Sequence, residues 1–157
     1  MIRPIHHIGI NVRDMDRMIR FYREAFGFEV VGEPFSWAAD PRTDTIIDVQ
    51  GSAARAAILR SASCVLEVFQ YSAPPPEVTL PLRPHDRGYT HLCVQVDDIA
   101  ADLAQLEAAG MDFTGRSPVD MGVVKAIYGY DPEGNMIEIL QPVAGHGMAL
   151  GELTGQG

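Results

Sequence analysis

The chain repeats itself, and that repeat limits the folds open to it. Val65 to Tyr71, VLEVFQY, returns 71 positions later as IEILQ, so that Glu67 matches Glu138, Val68 matches Ile139, Phe69 matches Leu140 and Gln70 matches Gln141. A second pair repeats in the same way: IHHIGINV (Ile5 to Val12) and YTHLCVQV (Tyr89 to Val96) bring His7 onto His91. Two copies of one unit are expected, each opening on a histidine strand and closing on a glutamate strand.

Each unit reads strand, helix, then three strands. In the first, Ile5 to Val12 alternates, with His6, Ile8, Ile10 and Val12 on the core face and His7, Gly9 and Asn11 opposite. Asp14 is placed to cap a helix whose apolar positions are Met15, Met18, Ile19, Tyr22 and Phe26, and Gly27 to end it. Phe28 to Val31 follows as a strand, Glu33 to Asp44 reads as turn-rich, and Arg55 to Arg60 with Cys64 to Tyr71 form a hairpin. Residues 72–88 hold five of the eleven prolines and read as a connector, long enough to cover a site. In the second unit Tyr89 to Val96 is the histidine strand, and Asp97 or Asp98 caps a helix bearing Ile99, Leu103 and Leu106 that Gly110 terminates. Met111 to Gly115 is a short strand, Val123 to Tyr130 a longer one, and Asp131 to Asn135 a turn before Met136 to Gln141. The expected organisation is module 1 over 5–71, connector 72–88 and module 2 over 89–142, forming one domain to residue 142. A glycine-rich mobile tail over 143–157 completes it.

His7 precedes Glu67 by 60 residues and His91 precedes Glu138 by 47, so the first unit carries 13 extra residues, assigned to Pro34–Gly51 as a segment covering substrate. Strand parity puts each histidine and each glutamate on the face opposite the helices. A carboxylate flanked there by Phe69 and Tyr71, or by Met136 and Leu140, is costly to bury without a cation or a proton. Two histidines and two glutamates at repeat-related positions are a donor set for one divalent metal, with imidazole suiting Ni, Co, Fe and Zn and carboxylate offsetting the charge. Taken singly, His6 is a core residue or lies at the strand start, His85 sits in the connector and His146 in the tail. Phe35, Trp37, Phe69, Tyr71, Tyr128 and Tyr130 are either cavity walls or core.

The totals narrow the partners. A net charge of -9 and a pI near 4.8 argue against nucleic acid and anionic membrane surfaces, leaving a small molecule. Cys64 and Cys93 match neither a redox pair nor a zinc knuckle and read as buried free thiols. With no apolar leader and no long apolar run, a soluble cytoplasmic protein is expected.

Four stretches, HHIGINVRDMDRMIRFYREAFGFEVV, VLEVFQY, GYTHLCVQVDDI and YGYDPEGNMIEILQP, resemble the vicinal oxygen chelate superfamily. That group contains glyoxalase I, methylmalonyl-CoA epimerase, extradiol dioxygenases and the fosfomycin and bleomycin resistance proteins. The resemblance implies an α+β fold of two βαβββ modules, a cupped and roughly eight-stranded mixed sheet with helices on its outer face. It also implies a homodimer and one divalent metal per site, Ni, Co, Zn, Mn or Fe, held by His7, Glu67, His91 and Glu138. Dioxygenases and fosfomycin-modifying members lack a carboxylate where this chain has Glu67, so Glu67 resembles the glyoxalase I and epimerase branch. There a substrate with adjacent oxygens is polarised at its carbonyl, and Glu67 or Glu138 moves the neighbouring proton through an enediolate. The YDPEGN turn is closer to general glyoxalase-like proteins than to the epimerases, and no arginine set for glutathione or CoA is evident. The competing expectations are a ring-cleaving dioxygenase and a metal-free protein that sequesters a ligand.

Overall fold

The computed structural model describes residues 5–77 and 82–155, so part of the connector and both extreme termini lie outside it. The chain divides into two units, Met1–Thr79 and Leu80–Gly157.

The first unit runs β1 (Ile8–Asn11), α1 (Met15–Phe26), β2 (Glu29–Ala38), α2 (Pro41–Ile47), β3 (Ala53–Arg60) and β4 (Val65–Ala73), with its strands ordered β1-β4-β3-β2 in one mixed sheet. β1 is parallel to β4, while β3 is antiparallel to both neighbours. Helix α1 starts where the Asp14 carboxylate accepts the Arg17 N–H. It stops at Gly27, whose φ of 67° lets its own N–H donate back to the Arg23 carbonyl and the Phe28 N–H to the Tyr22 carbonyl. Met15, Met18, Phe21 and Tyr22 line its buried stripe, and α1 packs on β3 and β4 where Leu59, Leu66 and Val68 are fully buried. Each such side chain contributes roughly 1.5–3 kcal/mol. Phe21 is a core residue that the expected spacing omitted.

The second unit repeats this plan as β5 (His91–Gln95), α3 (Ile99–Ala109), β6 (Val119–Asp120), β7 (Val124–Tyr130) and β8 (Met136–Pro142), with strands ordered β5-β8-β7-β6 and β5 parallel to β8. Asp98 caps α3 through the Ala100 and Ala101 N–H groups, and Gly110 ends it. Ile99 and Leu106 of α3 are buried along with Ile137 and Ile139 of β8. The Asp131 carboxylate closes the turn by accepting from the backbone of Glu133 and Asn135 and from the Asn135 amide. The architecture is α+β, two four-stranded mixed sheets with helices, as the sequence implied.

Several local expectations are corrected. Glu33–Asp44 is not a run of turns: β2 resumes beyond an irregularity between Val31 and Phe35, pairing Phe35 to Ala38 with Ala56 to Ala53. Pro41 then opens α2 under an Asp40 cap. Met111–Gly115 forms a single bridge, Asp112 to Tyr130, because Asp112 turns back to accept the Thr114 N–H. The tail carries a short helix α4 (Leu150–Thr154), anchored where the Leu150 N–H donates to the Gln95 amide oxygen. Cys93 is exposed and Cys64 half-buried rather than buried, and His6 lies ahead of β1 and is exposed, the second of its two expected placements. Among the described residues no helix is long and apolar enough to cross a membrane.

Candidate metal and substrate site

Gln70 and Gln141 show which face of each sheet is which. The Gln70 amide oxygen accepts the Met15 N–H at 3.1 Å, and Gln141 accepts the Ile99 N–H at 3.1 Å, so each glutamine reaches the start of its unit's helix. Leu66 and Val68, with Ile137 and Ile139, share that helix-covered face. Alternation then forces Glu67 and Glu138 to the other one.

On the open face of unit 1 the register sets Gly9 beside Glu67, and His7, just ahead of β1, turns its Nε2 to within 3.0 Å of Glu67 Oε2. On the open face of unit 2, Cys93 is the register partner of Glu138, and His91 Nε2 lies 3.3 Å from Glu138 Oε2. Both glutamates are largely shielded, with side-chain exposures of 17% and 16%, whereas the histidines are more open at 39% and 30%. The structure therefore joins the four anticipated residues as two His–Glu pairs, one in each unit. Among the described residues no cluster of three or more His, Cys, Asp or Glu side chains is arranged to hold a metal. His85 and His146 are exposed and belong to neither pair.

The pairs carry equivalent second contacts. His7 Nδ1 lies 2.8 Å from His6 Nδ1, and His91 Nδ1 lies 3.0 Å from Thr90 Oγ1. The surroundings differ. In unit 2 the Tyr128 ring meets His91 edge-on at 5.1 Å, and its hydroxyl is pushed above its ordinary pKa by burial and by the charge of Glu138. Although Cys93 as a whole residue is exposed, its thiol is partly shielded beside Glu138 and is pushed up to about 12, first by that desolvation and then by the carboxylate.

Unit 1 carries an aromatic wall. Phe35, Trp37, Phe69 and Tyr71 adjoin one another with ring centroids 5.8 to 6.4 Å apart, and Phe69 and Tyr71 share the Glu67 face. Burial, and then Glu67, raise the Tyr71 hydroxyl pKa. The wall has its own support. Trp37 Nε1 donates to Ser52 Oγ at 2.8 Å, and the Ser52 hydroxyl donates to Asp44 Oδ1 at 2.6 Å. Asp44 also accepts the Gly51 and Ser52 N–H groups. Sequence reasoning named the rings but missed this support, whose only local signal is a carboxylate inside a short capped helix. A surface groove of about 790 Å³ lined by Arg20, Arg23 and Glu24 of α1 and by residues 27–30 shares no residue with either pair.

As chemistry, each pair offers one imidazole nitrogen and one carboxylate oxygen about 3 Å apart. That separation serves a hydrogen bond, and it also matches adjacent positions around one divalent ion with ligands at about 2.1 Å. Imidazole nitrogen and carboxylate oxygen are donor types that suit a first-row divalent metal.

The fold and these paired open-face side chains define a protein built from two βαβββ units that each present a histidine and a glutamate. Residues 4–139 match the model of the Glyoxalase/Bleomycin resistance protein/Dioxygenase superfamily, and the chain belongs to that family. It is 35% identical over 106 residues to a 2-epi-5-epi-valiolone epimerase from an Actinomyces species, covering 66% of this chain and 57% of that one. It is 24% identical over 145 residues to a lactoylglutathione lyase from Schizosaccharomyces pombe, covering 87% of this chain and 46% of that one. The chain thus spans about half the length of these two relatives. A glyoxalase family protein from Bacillus cereus shares the fold with a TM-score of 0.80 at 17% identity, covering 92% of this chain and 97% of its own.

Proposed function

We propose that this protein is a divalent-metal-dependent lyase or isomerase of the glyoxalase I or epimerase type, acting on a small carbonyl substrate with adjacent oxygens. The observation that carries the reading is the recurrence of one His–Glu pair at the same position in both units, His7 with Glu67 and His91 with Glu138. His7, Glu67, His91 and Glu138 would be the ligands to a divalent metal, in a homodimer. Relatives named as a lactoylglutathione lyase and an epimerase support the reaction class.

When bound, the metal supplies Lewis-acid polarisation of the substrate carbonyl, which acidifies the neighbouring C–H. Glu67 or Glu138 accepts that proton at a carboxylate oxygen and returns it to the adjacent carbon or to the opposite face. The flanking Phe69 and Tyr71, or Met136 and Leu140, shield that carboxylate from water. The aromatic wall beside Glu67 receives the apolar part of the substrate, held in place by the support beneath Trp37.

The test is elemental analysis of protein purified without chelator or affinity tag, wild type beside Glu67→Ala. About one Ni, Co, Zn or Mn per site, lost in the variant, supports proton-transfer chemistry and directs screening toward 2-oxo aldehydes and acyl thioesters. Iron retained by the variant points instead to ring-cleaving oxygen chemistry. A wild type that takes up no metal on reconstitution overturns the catalytic reading in favour of ligand sequestration.

A further inference from the structure

Resting on the metal reading above, we infer that His6 and Thr90 are reversible hydrogen-bond partners of the two histidine ligands. Each lets its neighbour exchange an Nε2 that donates to glutamate for an Nε2 that binds a cation, without loss of the bond at Nδ1.

The geometry sets the requirement. A neutral imidazole has one N–H and one lone pair. With Nε2 of His7 and His91 facing Glu67 and Glu138 at 3.0 and 3.3 Å, a neutral ring carries its proton on Nε2, and Nδ1 must accept. To bind a cation, Nε2 must instead present its lone pair, so the proton resides on Nδ1 and Nδ1 must donate. The group facing Nδ1 therefore has to donate in one state and accept in the other.

Few groups do both. A carbonyl or carboxylate only accepts, and an ammonium, guanidinium or backbone N–H only donates. A hydroxyl, by rotating its O–H, and a neutral imidazole, by changing tautomer, can do either through the same heavy atom. These stand at the two positions: His6 Nδ1 at 2.8 Å from His7 Nδ1, and Thr90 Oγ1 at 3.0 Å from His91 Nδ1. Both residues directly precede their histidine and are equivalent in the repeat, so two different side chains answer one requirement. Edge-on ring contacts, His6 against His7 and Tyr128 against His91, each at 5.1 Å, orient the imidazoles.

The protons balance. Each ligand imidazole keeps one proton throughout. In unit 1 the His7 Nε2 proton leaves to water, His6 passes its Nδ1 proton to His7 Nδ1, and the exposed His6 Nε2 regains one from water. In unit 2 the His91 ring exchanges its proton through water while the Thr90 hydroxyl rotates from donating to accepting.

The experiment uses the intact protein with ¹⁵N-labelled histidine and Zn²⁺ alone as the probe. Long-range ¹H–¹⁵N correlations read which nitrogen bears hydrogen, and competition with a chelating dye reads affinity. Expected are Nε2–H on His7 and His91 before zinc and Nδ1–H after it. Thr90→Val and His6→Phe should weaken zinc binding 10- to 100-fold, while Thr90→Ser and His6→Thr, which place a hydroxyl able to donate or accept there, recover most of it. Circular dichroism confirms that the variants fold. Affinity in Thr90→Val equal to that in Thr90→Ser, or Nδ1–H already present before zinc, overturns this inference while leaving the metal reading intact. Wild-type protein that binds no zinc overturns both.

Discussion

Trp37 and Ser52 are joined by a 2.8 Å hydrogen bond from the indole N–H to the serine hydroxyl oxygen, and Ser52 in turn donates to a carboxylate, Asp44, that is only 5% exposed. The indole ring faces Phe69 and Tyr71 on the Glu67 side of the sheet, so its orientation is set from behind. Ser52→Ala strands the indole N–H and removes one of the donors to Asp44, which should cost about 1–3 kcal/mol. Trp37 is the chain's single tryptophan, so its emission spectrum reports the change directly: a red shift is expected, with a lower urea midpoint. An unchanged spectrum would show that the ring is held by its neighbours alone.

The same carboxylate predicts a pH dependence. Asp44 is held below its ordinary pKa of 3.8, first by the Ser52 hydroxyl and then by the Gly51 and Ser52 N–H groups. A group depressed on folding stabilises the native state above its unfolded pKa, and that contribution is lost as pH falls through the folded value. Wild type should therefore lose stability below about pH 4, and Asp44→Asn should lose less over the same interval. Arg42 and Arg83 hold Asp40 and Asp86 low as well, so the informative quantity is the difference between the two melting curves from pH 6 to pH 3.

Gln70 and Gln141 each satisfy an N–H at the first turn of a helix. Replacing either with Leu should cost about 0.5–2 kcal/mol, as loss of a helix cap does, while Glu in its place should be tolerated because it still accepts and favours the positive end of the helix. Amide hydrogen exchange at Met15 or Ile99, accelerated in the Leu variant only, is the check.

Gly129 packs its Cα against the core of unit 2. A Cβ there would lie 2.7 Å from the end of Met111 and 2.8 Å from the Phe113 ring, both side chains buried. Met111 can swing aside but the ring cannot, so Gly129→Ala should destabilise by about 1–3 kcal/mol, read as a lowered denaturation midpoint.

Glu67→Gln keeps the shape of the site and removes its charge. Turnover should fall at least about 10²-fold if this carboxylate moves the proton, while capture of substrate by the aromatic wall persists. Equal kcat in wild type and variant would assign the base to Glu138 or exclude this chemistry.

Much of this could be read from the residues alone. The repeat, the alternation of β4 and β8, and the brackets from Asp14 to Gly27 and from Asp97 or Asp98 to Gly110 are local signals, the alternations having periods of 2 and 3.6. They placed the helices and put Glu67 and Glu138 on the face without helices. They could not reveal that Phe35 to Ala38 extends β2, because that stretch is a strand only by pairing with Ala53 to Ala56 across α2. Nor could they show that Gln70 caps α1 from 55 residues away, that Asp44 supports Trp37 through Ser52, or that His6 turns outward to meet His7. Local periodicity determined which face each side chain takes. Tertiary structure decided which partner it meets there, because a hydrogen bond needs a donor and an acceptor within about 3 Å, and sequence separation sets no such distance.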